Sequence, residues 1–261
     1  VGLAAYCLTK ITLTEFAIDN DALAYFVLFS TILAYNFIRV AQLESINGTM
    51  AIWMPSNKRA LIFLNTLCLI FVFYYSLSFS LSSLLILLPF LLASIFYVVP
   101  ISSKIKTLRR IPGLKLFLIS FTWAGVTLYF PLYAANLQGM DGIWISFVQR
   151  FLFVMAITIP FDIRDVQFDF PDLMTLPQVI GVGNSKAVAI AAIVLFELLE
   201  VYRSAVYDAT FMASLIISVV SILFILWAGV RQKRFYSSFW VESIPIIWYL
   251  LLLVFYNQII F

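Results

Sequence analysis

Long apolar runs recur along the whole chain and are separated only by short polar segments. A helix that crosses a bilayer needs about 20 mostly apolar residues, and runs of that length constrain the fold more than any other feature. We predict nine transmembrane helices, near residues 1–18, 22–43, 58–77, 80–99, 112–131, 143–161, 186–203, 209–229 and 237–259. Hydrophobic residues make up 64% of the chain and charged residues 11%, against about 45–50% and about 25% in a soluble domain. We therefore expect residues 1–261 to form a single transmembrane domain, an all-α polytopic membrane helix bundle.

The positions of lysine and arginine predict the orientation of this bundle. If the N-terminus is cytoplasmic, the opposite side carries only Arg203. The cytoplasmic side then carries Lys58, Arg59, Lys104, Lys106, Arg109, Arg110, Lys115, Arg164, Lys186, Arg231, Lys233 and Arg234. This positive-inside bias supports nine helices and predicts a C-terminus on the opposite side. The chain contains no histidine, which excludes histidine-ligated haem and histidine-based catalytic triads.

The acidic residues show a local concentration after the sixth apolar run. Four of them, Asp162, Asp165, Asp169 and Asp172, fall within one short segment. The first three are spaced i, i+3 and i+7, which predicts one shared helical face. Carboxylates on one face repel each other unless a cation lies between them, and oxygen ligands suit Mg²⁺. Pro160 is expected to kink this helix and Pro171 to end it. The alternative interpretation is a solvated acidic helix end.

Two further segments carry polar groups at the same side of the predicted bundle. Asn36 and Arg39 share a face at the end of the second helix, where the alternative is an arginine that reaches the lipid headgroups. The loop after the fourth helix combines a tyrosine with several cations: Tyr97, Lys104, Lys106, Arg109, Arg110 and the nearby Lys115. Such cations suit a diphosphate, but an ordinary positive-inside loop contacting anionic lipid explains them as well. The intramembrane cations Lys10 and Arg150 are expected to face the interior and to have partners.

The acidic segment resembles the second aspartate motif of the UbiA superfamily of intramembrane prenyltransferases. That motif commonly reads Asn-Asp-x-Arg-Asp-x-x-x-Asp and is followed by a Thr-Leu-Pro stretch and a glycine. This chain has Phe161-Asp162-Ile163-Arg164-Asp165, then Asp169, Thr175-Leu176-Pro177 and Gly181. The nine predicted helices, the position of the motif after the sixth helix, and the tyrosine-plus-basic loop after the fourth extend the resemblance over most of the chain.

The resemblance implies a helical bundle around a central cavity that opens laterally to lipid. It also implies transfer of a polyprenyl group from its diphosphate to a lipophilic acceptor, often an aromatic or quinone precursor, with Mg²⁺ as cofactor. The implied metal ligands are Asp162, Asp165, Asp169 and Glu44. The implied diphosphate-binding residues are Arg39, Tyr97, Lys104, Lys106, Arg109, Arg110 and Arg164, and Asn36 and Arg39 join the three aspartates as catalytic residues. The expected partners are membrane lipid, a prenyl diphosphate and the acceptor, with no nucleic acid.

The first aspartate motif of the family departs from its usual pattern in this chain. The family typically has Asn-Asp-x-x-Asp-x-x-x-Asp at the end of helix two, where this chain has Asn36, Phe37, Val40 and Glu44 at the corresponding positions. A single Mg²⁺ on the second motif, with Arg39 as the other cation, would still hold a diphosphate. The alternative is a catalytically inactive UbiA-like subunit with a structural, lipid-binding or quinone-binding role and membrane-protein partners. A transporter is a third reading, although no internal repeat in hydropathy supports it.

Overall fold

The computed structural model describes residues 1–41, 56–99, 111, 113–168, 173–203, 208–233 and 235–260. These residues form nine helical segments and no strand, which confirms the predicted all-α bundle. Eight segments, from the second onward, are long and apolar enough to cross a membrane. The segments are α1 (Gly2–Glu15), α2 (Asp21–Ala41), α3 (Lys58–Ser76), α4 (Leu81–Val98), α5 (Leu114–Ala134), α6 (Ile143–Asp165), α7 (Leu176–Arg203), α8 (Ala209–Trp227) and α9, a π-helical turn (Tyr236–Val241) followed by Ile244–Ile260.

The helices are arranged so that the last one returns to the first. α4 packs on α5, α5 on α6, α6 on α7, α7 on α8 and α8 on α9, while α9 contacts α1. α1 also contacts α2 and α5, and most of its side chains are buried, so it lies inside the bundle. α2 contacts both α3 and α4. The closed arrangement leaves an interior space between α2, α4, α5, α6 and α9.

The outer surfaces of α3 and α4 are apolar. Phe63, Phe73, Leu77 and Leu81 are each more than 60% exposed. Exposed apolar faces of this extent are compatible with acyl chains and not with water. Together with the eight membrane-length helices, they show a multi-pass integral membrane protein.

The connection between α3 and α4 is a tight turn. The hydroxyl of Ser80 accepts a hydrogen bond from the backbone N–H of Ser83 at 3.2 Å and caps the first turn of α4. Such a cap satisfies one of the free N–H groups at a helix start. α3 and α4 therefore form two separate membrane crossings.

The segment around the acidic cluster differs from its prediction. α6 runs through Pro160 and ends at Asp165, so the expectation that Pro171 ends the helix is wrong. The carbonyl oxygen of Pro160 accepts hydrogen bonds from Gln232 Nε2 at 2.9 Å and Ser237 Oγ at 3.3 Å, which ties α6 to the start of α9. The shared helical face predicted for three aspartates therefore extends over Asp162 and Asp165, and Asp169 lies outside the described residues.

The next helix begins earlier than predicted. α7 starts at Leu176, ten residues before the predicted position, and contains a break at Gly181, whose φ of 82° and ψ of 162° are not helical. Only glycine adopts that backbone conformation without strain. The glycine of the proposed motif therefore bends the first part of α7.

Two of the three buried hydrophobic clusters among the described residues contain packed aromatic rings. In the C-terminal half, the rings of Phe153 and Trp248 lie 4.7 Å apart and those of Phe196 and Trp248 lie 5.4 Å apart. In the N-terminal half, Phe26 and Phe130 pack together at 5.4 Å. Aromatic pairs at these separations contribute dispersion and favourable ring geometry in addition to packing volume. α1 and α5 contribute residues to both clusters.

Candidate functional site

A cavity of about 420 Å³ lies between the helices, with walls from α1, α2, α4, α5, α6 and α9. Charged side chains surround one end of it: Arg39, Lys115, Asp162, Arg164, Asp165 and Glu242. The remainder is mainly apolar and aromatic, with walls that include Leu118, Ile119, Trp123, Val154, Ile157 and Phe161. The cavity thus joins an ionic end, here called the mouth, to an apolar interior.

The last turn of α6 supplies the carboxylates of the mouth. Asp162 is only 2% exposed, and its Oδ1 forms an ion pair with Lys115 Nζ at 2.6 Å. Asp165 lies one helical turn away and accepts two hydrogen bonds from its neighbour Arg164, at 2.7 and 3.0 Å. Both carboxylates line the same cavity because a spacing of three residues keeps them on one helical face.

Lys115 was not among the predicted site residues. The sequence grouped it with the loop cations after the fourth helix, whereas the structure places it in the first turn of α5 with a nearly buried side chain. A lysine inside a membrane helix usually faces a cavity or a partner rather than lipid. In the sequence, the feature that identifies Lys115 is its place inside the predicted fifth helix, near 112–131.

The face of α2 that lines the cavity carries Tyr35, Ile38 and Arg39. The guanidinium of Arg39 lies 4.7 Å from the centre of the Tyr35 ring, a cation–π contact that orients the arginine. Arg39 lines the same cavity as Asp162 and Asp165, and its predicted role in binding a diphosphate stays a prediction.

Three α2 residues from the segment compared with the first aspartate motif do not line the cavity. Asn36, a predicted catalytic residue, donates from Nδ2 to Asn65 Oδ1 on α3 at 2.7 Å and does not line the cavity. Phe37 and Val40 are 47% and 50% exposed and do not line it either. Successive helical residues are rotated by about 100°, so positions 35, 38 and 39 fall on the cavity side of α2 and positions 36, 37 and 40 fall on the other side. Asn36 therefore has a helix-pairing contact with α3, and its catalytic role stays a prediction.

Two further predicted residues, Tyr97 and Arg164, line the cavity. The guanidinium of Arg164 also lies 5.5 Å from the ring of Phe161, which holds it against the wall. The remaining predicted site residues lie outside the described residues and stay predictions: Glu44, Lys104, Lys106, Arg109, Arg110 and Asp169.

The donor set of the mouth is compatible with one divalent cation. Within the part of the chain that the structure describes, no three acidic, cysteine or histidine residues come together as a metal site. Asp162 and Asp165 nevertheless share the cavity, and Mg²⁺ commonly takes one or two protein carboxylates, with water and substrate phosphate as the other ligands. The two aspartates therefore fit a metal whose coordination a diphosphate would complete.

A buried polar network joins α1, α5 and α6 deeper in the bundle. Arg150 is 2% exposed and donates from Nη1 to the Leu8 carbonyl oxygen at 2.7 Å and to Thr127 Oγ1 at 3.3 Å. Its Nη2 donates to Thr12 Oγ1 at 3.2 Å, and its guanidinium lies 5.4 Å from the Trp248 ring. Arg150 thus has the interior partners that were expected for an intramembrane cation.

Ion pairs continue this polar network toward α7. Arg203 contacts Glu200 at 2.9 Å and Glu15 at 3.5 Å, and Gln149 Nε2 donates to Glu200 Oε2 at 2.6 Å. Lys10, the other intramembrane cation, pairs with Asp21 at 2.5 Å near the start of α2 and is partly exposed rather than interior. These contacts close the end of the bundle opposite the mouth.

The fold of the chain is similar to that of solved membrane proteins. The chain matches the apo structure of a UbiA homolog from Aeropyrum pernix K1 with a TM-score of 0.74 and 14% identity, over 97% of each chain. It also matches a structure described as giving insight into the biosynthesis of digeranylgeranylglyceryl phosphate synthase in membranes. That match has a TM-score of 0.54 and 17% identity, and covers 97% of this chain and 90% of the other.

These structural similarities establish the fold. No protein-family model matches the sequence, and no curated protein is significantly similar to it. The chain has the fold of the solved UbiA homolog, which confirms the predicted all-α membrane helix bundle.

Proposed function

We propose that this protein is a UbiA-type membrane prenyltransferase. It would bind a polyprenyl diphosphate with the diphosphate at the mouth and the hydrocarbon chain in the apolar interior. It would transfer the prenyl group to a lipophilic acceptor, in particular an aromatic or quinone precursor. One observation carries the proposal: a single cavity combines an apolar interior with a mouth that contains Arg39, Lys115, Asp162, Arg164 and Asp165.

The chemistry follows from the charges and walls of the cavity. In the reaction the C1–O bond of the prenyl diphosphate breaks, and pyrophosphate leaves with the electron pair. Arg39 and Arg164 are positioned to neutralise the negative charge that develops on the leaving group. Held by Asp162 and Asp165, Mg²⁺ would supply further neutralisation of the diphosphate.

The apolar interior has a separate role in this proposal. The allylic carbocation left after ionisation reacts readily with water, so its surroundings must exclude water. Apolar side chains such as Leu118 and Ile157 serve that purpose, and the aromatic face of Trp123 favours a nearby positive charge. The acceptor then forms the new C–C or C–O bond to C1 and loses a proton.

The charge distribution supports a cytoplasmic mouth. Arg39, Arg164 and the cations after α4 lie on the side that the positive-inside bias assigns to the cytoplasm. This orientation gives a cytoplasmic N-terminus and a C-terminus on the opposite side. A water-soluble diphosphate head group would then enter from the cytoplasm while its chain enters the membrane interior.

Activity measurements with site variants test the proposal. Purified protein in nanodiscs would be incubated with Mg²⁺, labelled prenyl diphosphates of increasing chain length, and a panel of aromatic and quinone-precursor acceptors. We expect prenyl transfer, and a loss of about 100-fold or more in Asp162→Asn and Asp165→Asn, because each removes a carboxylate that would hold Mg²⁺ at the leaving group. Asp141→Asn, an exposed residue outside the cavity, is the matched control. Absence of transfer with every chain length and acceptor, together with absence of pyrophosphate binding, rules the proposal out.

A non-catalytic UbiA-like subunit that binds lipid or quinone is the second candidate. It is favoured by the ion pairs that already neutralise Asp162 and Asp165, and by the lack of a carboxylate on the described part of the cavity-facing side of α2. In that case Asp162→Asn and Asp165→Asn would leave cellular function intact, and native purification would recover partner membrane proteins. Mg²⁺-dependent prenyl transfer by the purified protein excludes this candidate.

A further inference from the structure

The ion pair between Lys115 and Asp162 joins two helices inside the cavity wall. Lys115 lies in the first turn of α5 and Asp162 in the last turn of α6. Their charged atoms are 2.6 Å apart, and the two side chains are only 11% and 3% exposed. Both residues line the same cavity as Arg39, Arg164 and Asp165. The pair is therefore part of the mouth and is shielded from bulk water.

Because the ion pair is buried, it affects the affinity of Asp162 for a metal. Charges interact more strongly in a partly desolvated site than at the surface, so the lysine neutralises the carboxylate effectively. A divalent cation that coordinates Asp162 must displace the ammonium group or bind beside it against its charge. Lys115 thus lowers the affinity of the ligand-free mouth for a metal.

An anionic ligand in the cavity changes this balance. Lysine carries a compact charge on a flexible four-carbon chain, so its Nζ can exchange one oxygen partner for another nearby. Diphosphate oxygens at the mouth would offer Lys115 such a partner and would leave Asp162 available to a metal. The displaced ammonium would then contribute to diphosphate binding.

We propose that Lys115 is a switching residue that couples metal binding to diphosphate binding. In the ligand-free protein it neutralises Asp162, and in the complex it binds the diphosphate while Asp162 binds the metal. This inference rests on the proposed diphosphate function of the cavity. Because coupling between two ligands is reciprocal, the metal and the diphosphate each bind more tightly in the presence of the other.

A second ion pair of the mouth, between Arg164 and Asp165, lacks this property. Arg164 and Asp165 are sequence neighbours on one helix, and their side chains are 33% and 30% exposed. Pairs with that exposure are screened by water and contribute little. The coupling therefore resides in Lys115 and Asp162, which come from different helices.

Two binding measurements on the purified protein test this inference. Mn²⁺ binding without diphosphate is measured by electron paramagnetic resonance, and pyrophosphate binding without metal is measured in EDTA by calorimetry. We expect Lys115→Met to bind Mn²⁺ about tenfold more tightly than the wild type and pyrophosphate about tenfold more weakly, the effect of one charge-assisted hydrogen bond. A purely structural lysine would not change the two affinities in opposite directions. Lys58→Met, an exposed lysine at the start of α3, is the control.

A second variant decides the matter if Lys115→Met does not fold. Lys115→Arg keeps the charge and makes a two-pronged pair with a carboxylate, so we expect it to bind Mn²⁺ more weakly than the wild type. Mn²⁺ affinity that is unchanged in Lys115→Met, or unchanged or higher in Lys115→Arg, overturns the role of Lys115 and leaves the proposed function standing. A wild-type protein that binds neither Mn²⁺ nor pyrophosphate removes the proposed function and this inference together.

Discussion

Arg150 Nη1 donates a hydrogen bond of 2.7 Å to the carbonyl oxygen of Leu8, which links the middle of α6 to α1 at a depth where neither residue reaches water. The same guanidinium also reaches Thr12 and Thr127. The Leu8 carbonyl, which belongs to the hydrogen-bond ladder of α1, therefore accepts from an additional donor. Arg150, whose charge is costly in lipid, has several acceptors. This contact fixes α6 to α1, and both helices line the cavity.

Substitution of Arg150 is expected to destabilise the bundle. Arg150→Gln removes the charged donor to Leu8, Thr12 and Thr127, and hydrogen bonds to a charged group are worth about 1.5–3 kcal/mol each. Arg150→Lys should also destabilise, because an ammonium cannot reproduce the planar fork of the guanidinium. Thermal unfolding in detergent is the measurement, with Arg59→Gln at the exposed start of α3 as control. Unfolding temperatures equal to the wild type in both Arg150 variants would contradict the structural role.

The contact between Gly125 and Phe90 gives a second stability prediction. A β-carbon on Gly125 would overlap the ring of Phe90, which is buried between α4 and α5. Gly125→Ala should therefore lower the unfolding temperature, since a packed aromatic ring cannot move away without disturbing its neighbours. Phe90→Leu alone should cost stability, but the double variant should be more stable than the sum of the two effects indicates. Strict additivity in this double-mutant cycle would show that the overlap is relieved elsewhere.

Arg39 is expected to affect ligand binding rather than folding. Its side chain lines the mouth and is oriented by Tyr35, and hydrogen bonds to a charged group are worth about 1.5–3 kcal/mol. Arg39→Gln should therefore weaken pyrophosphate binding by about 10- to 100-fold and leave the unfolding temperature near that of the wild type. Calorimetric titration with Arg59→Gln as control gives the comparison. A loss of stability without a loss of affinity would assign Arg39 to packing.

The orientation of α2 predicts which of its positions can add a metal ligand. Phe37 and Val40 are about half exposed, whereas Ile38 lines the cavity. Phe37→Asp and Val40→Asp should leave Mn²⁺ affinity unchanged, although they restore the carboxylates of the family pattern. Ile38→Asp should increase it, because a third carboxylate at the mouth adds a ligand. An increase with Phe37→Asp and none with Ile38→Asp would show a different rotation of α2.

The apolar part of the cavity should control the length of the bound hydrocarbon. Ala93 lines the cavity on α4, while the adjacent Leu92 is exposed on the outer face of the same helix. Ala93→Phe should reduce the affinity for long-chain prenyl thiodiphosphates and leave the affinity for pyrophosphate unchanged, since it fills space below the mouth. Leu92→Phe is the matched control. Equal losses for the long-chain ligand and for pyrophosphate would indicate a distorted cavity instead of a filled one.

The sequence predicts the helices of this protein better than it predicts the site. Apolar runs determine where helices cross a membrane, because any polar group in lipid is costly, and these runs are visible without knowledge of neighbours. The start of α7 was missed because the stretch from Leu176 to Ser185 contains glycine, proline and polar residues and is not a continuous apolar run.

Side-chain partners were harder to predict because they depend on how helices rotate against each other. The spacing of Asp162 and Asp165 was sufficient to predict their shared face, and they do share a cavity. Spacing alone also suggested a shared site for Asn36 and Arg39, but the contact of Asn36 with Asn65 depends on α3, which no local pattern shows. The pairing of Lys115 with Asp162 joins residues 47 positions apart and likewise required the packed bundle.

The anchoring of Arg150 has a mechanical consequence for the mouth. α6 is fixed to α1 and α5 at residue 150, and Asp162 lies twelve residues further on, a distance of about 18 Å at the helical rise per residue. Pro160 ties this end of α6 to the start of α9, so a tilt of about 5° around the anchor that carries α9 along moves Asp162 by about 1.6 Å over that length. The Lys115–Asp162 separation is only 2.6 Å, so this displacement is enough to break the ion pair. A small tilt of α6 at the depth of Arg150 thus separates Asp162 from Lys115 at the mouth of the cavity.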